Sequence, residues 1–182
     1  MKKLSFFTVL SLLFYLCSCS PSVSDNVYRY YAEGKFETTL TENNRYTTTD
    51  IDTAIIMAQA PDPVMILIGG AWCPYCAADV GVIDEIFQTS AILETLNTIY
   101  YIDAADSQIS ASIIMRFNEE FDITVQTTVP CLMLYCNGVL LAERNNPDFK
   151  QTDDRTEQIR LFFAYAEECV FLSGTSKIYN CR

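Results

Sequence analysis

Histidine is absent from the 182 residues of this chain. Because Ser-His and Cys-His catalytic pairs use an imidazole as their base, its absence excludes both kinds of catalysis. A zinc or copper site could draw only on cysteine and carboxylate ligands. The sequence therefore predicts neither a metal centre nor a bound cofactor.

Basic residues are also scarce. The chain has 12 lysines and arginines against 23 aspartates and glutamates, a formal net charge of −11. Because so few groups could neutralise phosphates, nucleic acid is excluded as a partner, and we interpret the acidic side chains as a solvated surface. Half of all residues are apolar, which suits one globular domain with a core of ordinary size.

The apolar run at the N-terminus is short. Residues 4–16 carry no charge and follow Met1-Lys2-Lys3, the order of basic and apolar segments that is typical of an export signal. A helix needs about 20 residues to span a bilayer, and this run is shorter. A buried amphipathic helix is the alternative, but the run is apolar on all sides. We predict a signal peptide over residues 1–18.

The signal ends in Leu16-Cys17-Ser18-Cys19, which resembles a bacterial lipobox. There a small residue precedes the cysteine that is acylated and becomes the new N-terminus, and Cys19 matches that position. Cleavage without a lipid is the alternative. We predict a lipid anchor at Cys19 and a polar tether over residues 19–26. The protein would then lie on a membrane at the extracytoplasmic side, in the periplasm or on the cell surface, without spanning it.

Residues 27–182 are predicted to form one domain with a C-terminal tail. Two β-prone runs within residues 27–46 flank Glu33-Gly34-Lys35 and predict a β-hairpin. Thr49 and Asp52 resemble a capping box ahead of an apolar helix that ends before Pro61.

The rest of the domain alternates strands and helices. The patterns predict, in chain order, a buried strand over 64–68, a helix starting within 73–76, a strand over 98–102, a helix over 107–121, two antiparallel strands over 131–135 and 139–142 around Asn137-Gly138, and a helix over 154–169. This order predicts an α/β fold with a mixed central sheet and helices on both faces, preceded by the β-hairpin.

Cys73 and Cys76 form a Cys-x-x-Cys motif between a predicted strand and a predicted helix. The free N–H groups and the dipole of a helix N-terminus favour a thiolate, so we predict that Cys73 is a nucleophile. Cys76 lies one turn further on, where it could attack a mixed disulfide and release the substrate. The alternatives are half of a zinc site or an inert disulfide. Zinc would need a second ligand pair, and the chain has no other Cys-x-x-Cys and no histidine.

Two motifs together resemble the thioredoxin superfamily. The first is Trp72-Cys73-Pro74-Tyr75-Cys76, and the second is Thr127-Thr128-Val129-Pro130, which leads into a strand and an Asn-Gly turn. The resemblance covers residues 47–170 and implies a thioredoxin fold and the activity of a thiol–disulfide oxidoreductase.

The same resemblance implies roles for residues around the dithiol. Pro130 is expected to be a cis-proline beside Cys73 and to belong to the catalytic site. The backbone of Val129 is expected to pair with an extended substrate segment. Leu67 occupies the position of a buried aspartate that assists proton transfer in cytosolic thioredoxins, so that helper is missing here. Residues expected to contact substrate are Trp72, Pro74, Tyr75 and Val129.

Four more cysteines follow the dithiol. Cys131 and Cys136 lie five residues apart in one strand, about 16 Å apart, whereas a disulfide needs Cα atoms within about 7 Å. They cannot pair with each other. In the topology that the resemblance implies, we expect a disulfide that joins two of Cys136, Cys169 and Cys181 and excludes Cys131.

The leading hypothesis is therefore thiol–disulfide exchange. Its partners would be the thiols or disulfides of exported proteins, or a membrane-bound or soluble redox partner. The alternative is a redox-inert lipoprotein of thioredoxin fold that binds or assembles other proteins. A copper- or haem-delivery protein is a third possibility, which the missing histidine disfavours. Whether the protein reduces, oxidises or isomerises depends on its reduction potential, which the motif does not fix.

Overall fold

A computed structural model of the chain describes residues 25–145 and 153–171. The predicted signal, Cys19, residues 19–24 of the tether and the tail with Cys181 lie outside these ranges. The helices are α1 (Asp25–Ala32), α2 (Ile51–Gln59), α3 (Pro74–Thr89), α4 (Ser107–Phe121) and α5 (Arg155–Phe171), with a short 3-10 helix at Ala91–Glu94. The strands are β1 (Tyr46–Thr48), β2 (Val64–Gly69), β3 (Ile99–Asp103), β4 (Cys131–Cys136) and β5 (Val139–Glu143).

The five strands form one mixed sheet in the order β1-β3-β2-β4-β5. Strands β1, β3 and β2 run parallel, β4 runs antiparallel to β2, and β5 runs antiparallel to β4. In this register Leu67 of β2 lies between Tyr101 of β3 and Leu132 of β4. The predicted α/β class with a mixed sheet is confirmed.

Both faces of the sheet are covered by helices, as predicted. Side chains of a strand alternate between the two faces, so Met65 and Leu67 pack with α3 and α5, whereas Ile66 and Ile68 pack with α2 and α4. All six residues of β2 are buried, and fully burying one such side chain stabilises the fold by about 1.5–3 kcal/mol. The central strand that leads to the dithiol is therefore held rigidly from both sides.

Most predicted elements are present with small shifts of their ends. Helix α4 has the predicted bounds and is capped by the Asp106 side chain, which accepts hydrogen bonds from the N–H groups of Gln108 and Ile109. Asn137 and Gly138 have φ values of 52° and 76°, the backbone that a two-residue hairpin turn requires. Within the described ranges, none of the helices combines the length and apolar character needed to cross a membrane.

The predicted β-hairpin over residues 27–46 is wrong. The segment forms helix α1 and then irregular chain, and only Tyr46 at its end joins the sheet. The tyrosines suggested strands, but Val27 and Tyr31 lie four residues apart and are both buried, which is helical spacing. Tertiary burial of this helix face overrides the β-propensity of its residues. The capping box was also misplaced, because Asp50 caps α2 by accepting from Thr53 N–H.

Candidate functional site

The loop between β2 and α3 brings Cys73 to the carboxyl edge of the sheet. Gly70 is required there, because a Cβ on it would lie 2.3 Å from Nε1 of Trp72 and 2.4 Å from the carbonyl oxygen of Ala104. Trp72 donates a hydrogen bond from Nε1 to that carbonyl at 2.5 Å, and Cys73 N–H donates to Gly70 O at 3.0 Å. The tight loop fixes where α3 begins.

Cys73 is the N-cap of helix α3, and Pro74 takes the first helical position. Sγ of Cys73 accepts a hydrogen bond from the backbone N–H of Cys76 at 3.3 Å. The pKa of Cys73 is lowered to about 6 by the hydrogen bond from the Cys76 side chain, with further contributions from backbone N–H groups and from Arg155, against the effect of burial. Hydrogen bonds to a charged form favour that form. The Cys73 thiolate is therefore the stable state at neutral pH.

Cys76 has the opposite environment. Only 1% of its surface is exposed, compared with 4% for Cys73. Its hydrogen bond to Cys73, followed by burial, raises the pKa of the Cys76 thiol. The two sulfurs are thus distinguished by ionisation more than by exposure. The dithiol can supply one thiolate and one protonated thiol at the same pH.

The loop before β4 faces this dithiol. The peptide bond between Val129 and Pro130 is cis, as the resemblance implies, and Sγ of Cys73 lies 3.8 Å from the carbonyl oxygen of Val129. Pro130 is buried and Val129 is half-buried. Tyr75, 60% exposed, lies at the rim. The structure thus brings Val129 to Cys73 and places Tyr75 at the surface of the same site.

The sequence patterns did not predict an ion-pair cluster that lies beside the dithiol. Asp79 of α3 is buried, and its carboxylate lies 2.7 Å from a guanidinium nitrogen of the buried Arg144 and 2.6 Å from one of Arg155. Arg155 also donates from Nε to the second carboxylate oxygen at 3.1 Å. These charge-assisted hydrogen bonds join α3 to the residue after β5 and to the start of α5. A signal existed, because Asp79 interrupts the apolar face of α3 that Cys76 and Val80 share.

Arg155 connects this cluster to the rim of the site. Its guanidinium carbon lies 4.5 Å from the centre of the Tyr75 ring, and Nη2 donates to the Tyr75 carbonyl oxygen at 3.4 Å. A cation above an aromatic face is attracted to its π-electrons. The positive charge also favours the Cys73 thiolate. Arg155 therefore orients Tyr75, which lies between Cys73 and Cys76, and stabilises the Cys73 thiolate beside it.

The remaining cysteines lie apart from the dithiol. Cys131 and Cys136 are buried free thiols in core clusters on opposite faces of the sheet, and Cys136 donates from Sγ to Pro61 O at 3.2 Å. Of the three pairings that the expected disulfide could use, Cys136 with Cys169 is wrong, because the structure does not join these two residues. Pairing of either one with Cys181 stays a prediction, because Cys181 lies outside the described residues. Over 25–145 and 153–171, no three Cys, Asp or Glu side chains come together in a way that could hold a metal ion.

Comparison with protein-family models finds no match to this chain. Comparison with curated proteins likewise finds no significant match.

Proposed function

We propose that this protein is a thiol–disulfide oxidoreductase of thioredoxin fold that uses Cys73 as nucleophile and Cys76 as resolving thiol. The observation that carries the proposal is the pair of opposite pKa directions in one Cys-x-x-Cys at a helix N-terminus. The fold supports it, since parallel strands joined through helices lead to an antiparallel hairpin, with a cis-proline before that hairpin and opposite the dithiol.

The proposed reaction has two steps. The Cys73 thiolate attacks one sulfur of a substrate disulfide, so that a mixed disulfide forms and the other substrate sulfur leaves as a thiolate. Cys76 then loses its proton and attacks Sγ of Cys73, which releases the second substrate sulfur and leaves a Cys73–Cys76 disulfide. The substrate gains two electrons and the protein loses two. The reverse sequence oxidises a dithiol, and the reduction potential decides the direction.

Substrate proteins would contact the rim of the dithiol. Val129 is half-buried, and its backbone carbonyl lies beside Cys73, a position that suits main-chain pairing with an extended segment. Pro74 and Tyr75 are exposed and Trp72 is half-buried, so these three can form the apolar surface that flanks the sulfur. Protein thiols and disulfides are therefore the proposed substrates.

Alkylation of the reduced protein tests the ionisation of Cys73. With a pKa of about 6, its labelling by iodoacetamide should rise between about pH 5 and pH 7 and then level off, since only the thiolate reacts. At pH 7 we expect Cys73 to react about tenfold or more faster than Cys76 or Cys131, whose pKa values are raised. Peptide mapping of timed samples measures each rate, and labelling in urea gives the unfolded control. Equal, slow labelling of Cys73 and Cys76 would contradict the assignment.

We further propose that export and a lipid on Cys19 anchor the protein at the extracytoplasmic membrane surface. Cys19→Ser should remove labelling by radioactive fatty acid and move the protein from the membrane fraction to the soluble fraction. Cys17→Ser is the matched control and should keep both the label and the membrane association. If the Cys19→Ser protein stays bound to membranes, the anchor is elsewhere.

A further inference from the structure

The second step of the proposed reaction requires an acceptor for the proton of Cys76. This thiol is 1% exposed, so water reaches it poorly. In the reduced protein its side chain hydrogen-bonds to Cys73. Once Cys73 is part of a mixed disulfide, its sulfur carries no negative charge and accepts a proton poorly. Another group must therefore take the proton before Cys76 can attack.

The nearest charged side chains are badly suited to this task. Asp79 lies on the same helix as Cys76, but both of its carboxylate oxygens accept hydrogen bonds from Arg155, and one of them also pairs with Arg144. Arg144 and Arg155 are donors only. Leu67, on the strand that leads to the dithiol, is buried and apolar. The proton acceptor must come from another element.

A chain of hydroxyl and carboxylate groups lies on the neighbouring strand and on α1. Oη of the buried Tyr31 lies 3.0 Å from Oη of the buried Tyr101. Tyr101 in turn donates to the carboxylate of Asp103 at 3.5 Å. Tyr101 and Asp103 are beside Leu67 and Gly69 in the parallel register of β3 and β2. The carboxylate of Asp103 is at the surface, so the chain leads from the core to solvent.

Gly69 lets this chain approach the resolving thiol. A methyl group built on Gly69 would lie 3.1 Å from Oη of Tyr31 and 3.5 Å from Sγ of Cys76. The hydroxyl and the thiol therefore border the same small space, which any larger residue would occupy. Cys76 also raises the pKa of Tyr31, as the largest cause after burial. The close approach at Gly69 thus places Tyr31 next to Cys76, and the effect of Cys76 on the pKa of Tyr31 agrees with it.

We propose that Tyr31, Tyr101 and Asp103 form a proton relay that carries the thiol proton of Cys76 to solvent during resolution. The proposal rests on the oxidoreductase function proposed above. Cys76 gives its proton to Oη of Tyr31, Tyr31 gives its own to Tyr101, and Tyr101 gives its own to the Asp103 carboxylate. The Cys76 sulfur then forms its bond to Sγ of Cys73 while the bond to the substrate sulfur breaks, and that sulfur leaves as a thiolate.

The ionisation of these groups agrees with the relay. Burial raises the pKa values of Tyr31 and Tyr101, so both tyrosines stay neutral and pass protons without becoming tyrosinates. Partial burial also raises the pKa of Asp103, which makes its carboxylate a better base than an ordinary aspartate. Several ionisable groups lie around the dithiol and the relay. They are Tyr31 on α1, Asp79 on α3, Tyr101 on β3, Asp103 behind Tyr101 on the same strand, Arg144 after β5, and Arg155 on α5.

The relay is tested by measuring the two reaction steps separately with oxidised glutathione as the probe. Reduced protein is mixed with it, quenched in acid at set times and analysed by mass for reduced, glutathionylated and internally oxidised forms. Tyr101→Phe and Asp103→Asn should form the glutathione adduct at the wild-type rate. Their resolution at pH 7 should be at least about tenfold slower and should need a higher pH, because general acid–base catalysis is worth about 10²-fold or more. Asp103→Glu should restore much of the rate.

Tyr46→Phe is the matched control. Tyr46 is buried against Tyr101, with ring centres 6.1 Å apart, but its hydroxyl donates to Val80 O and lies outside the relay. This variant loses a buried hydrogen bond and should keep the wild-type pH profile of resolution. The relay would be overturned if Tyr101→Phe and Asp103→Asn resolved the adduct at rates within about twofold of the wild-type rate. It would also be overturned if Tyr46→Phe slowed resolution as much as they do. Either result would leave the proposed oxidoreductase function standing. If the wild-type protein forms no glutathione adduct at Cys73, the result contradicts the proposed oxidoreductase function itself.

Discussion

Cys76→Ser should accumulate partner proteins as adducts that a reductant releases, whereas Cys73→Ser should trap almost none. In the first variant the Cys73 thiolate still attacks substrates, but no thiol remains to resolve the mixed disulfide. In the second, the remaining Cys76 is buried and protonated, so it is a poor nucleophile. Both variants should reduce insulin only at the uncatalysed rate.

A non-reducing gel of the variants, expressed in the native host, measures this difference. Cys131→Ser is the matched control, because Cys131 is a buried free thiol in the core cluster on the opposite face of the sheet. That variant should behave as wild type. Comparable adducts from both dithiol variants, or none from folded and reduced Cys76→Ser, would favour the redox-inert binding module. The binding module would also be favoured if the wild-type protein reduced insulin no faster than the Cys73→Ser variant.

Asp79→Ala should destabilise the protein by about 3–5 kcal/mol. The substitution leaves the guanidinium of Arg144, which is 5% exposed, without its carboxylate partner. Burial already lowers the pKa of Arg144 against the effect of Asp79, and Nε of Arg144 has no hydrogen-bond partner among the described residues. An uncompensated buried charge is more costly than the lost attraction alone.

Denaturant unfolding of the reduced protein measures this loss. Asp52→Ala is the control, because Asp52 pairs with Arg116 at the surface, where the two side chains are 69% and 51% exposed. Removing an exposed pair should change the free energy of unfolding by about 0–1 kcal/mol. The double variant Asp79→Ala, Arg144→Met should recover part of the loss, since it removes the stranded charge. A loss below about 1 kcal/mol for Asp79→Ala would show that the cluster is hydrated in solution.

Local patterns in the sequence predicted the elements that carry the dithiol. The buried strand β2, the start of α3 at Pro74 and the turn at Asn137-Gly138 each depend on residues close together in the chain. Helix α1 was mispredicted because its tyrosines have strand propensity, and only the distant residues that bury Tyr31 decide its conformation. The partners of Asp79 come from two other elements. Spacing along one helix indicates which face is buried but does not identify such partners.

The position of helix α1 near the N-terminus also limits how far the dithiol could lie from the membrane if Cys19 carries the proposed lipid. From Cys19 to Asp25, where α1 starts, is six residues, which extend to about 20 Å at most. From there Tyr31, beside the resolving cysteine, is about 9 Å further along the helix. An acylated Cys19 would thus keep the redox centre within about 30 Å of the bilayer. The redox centre would then react only with disulfides that lie within this distance of the membrane surface. A freely diffusing substrate protein would have to come that close to the membrane to react.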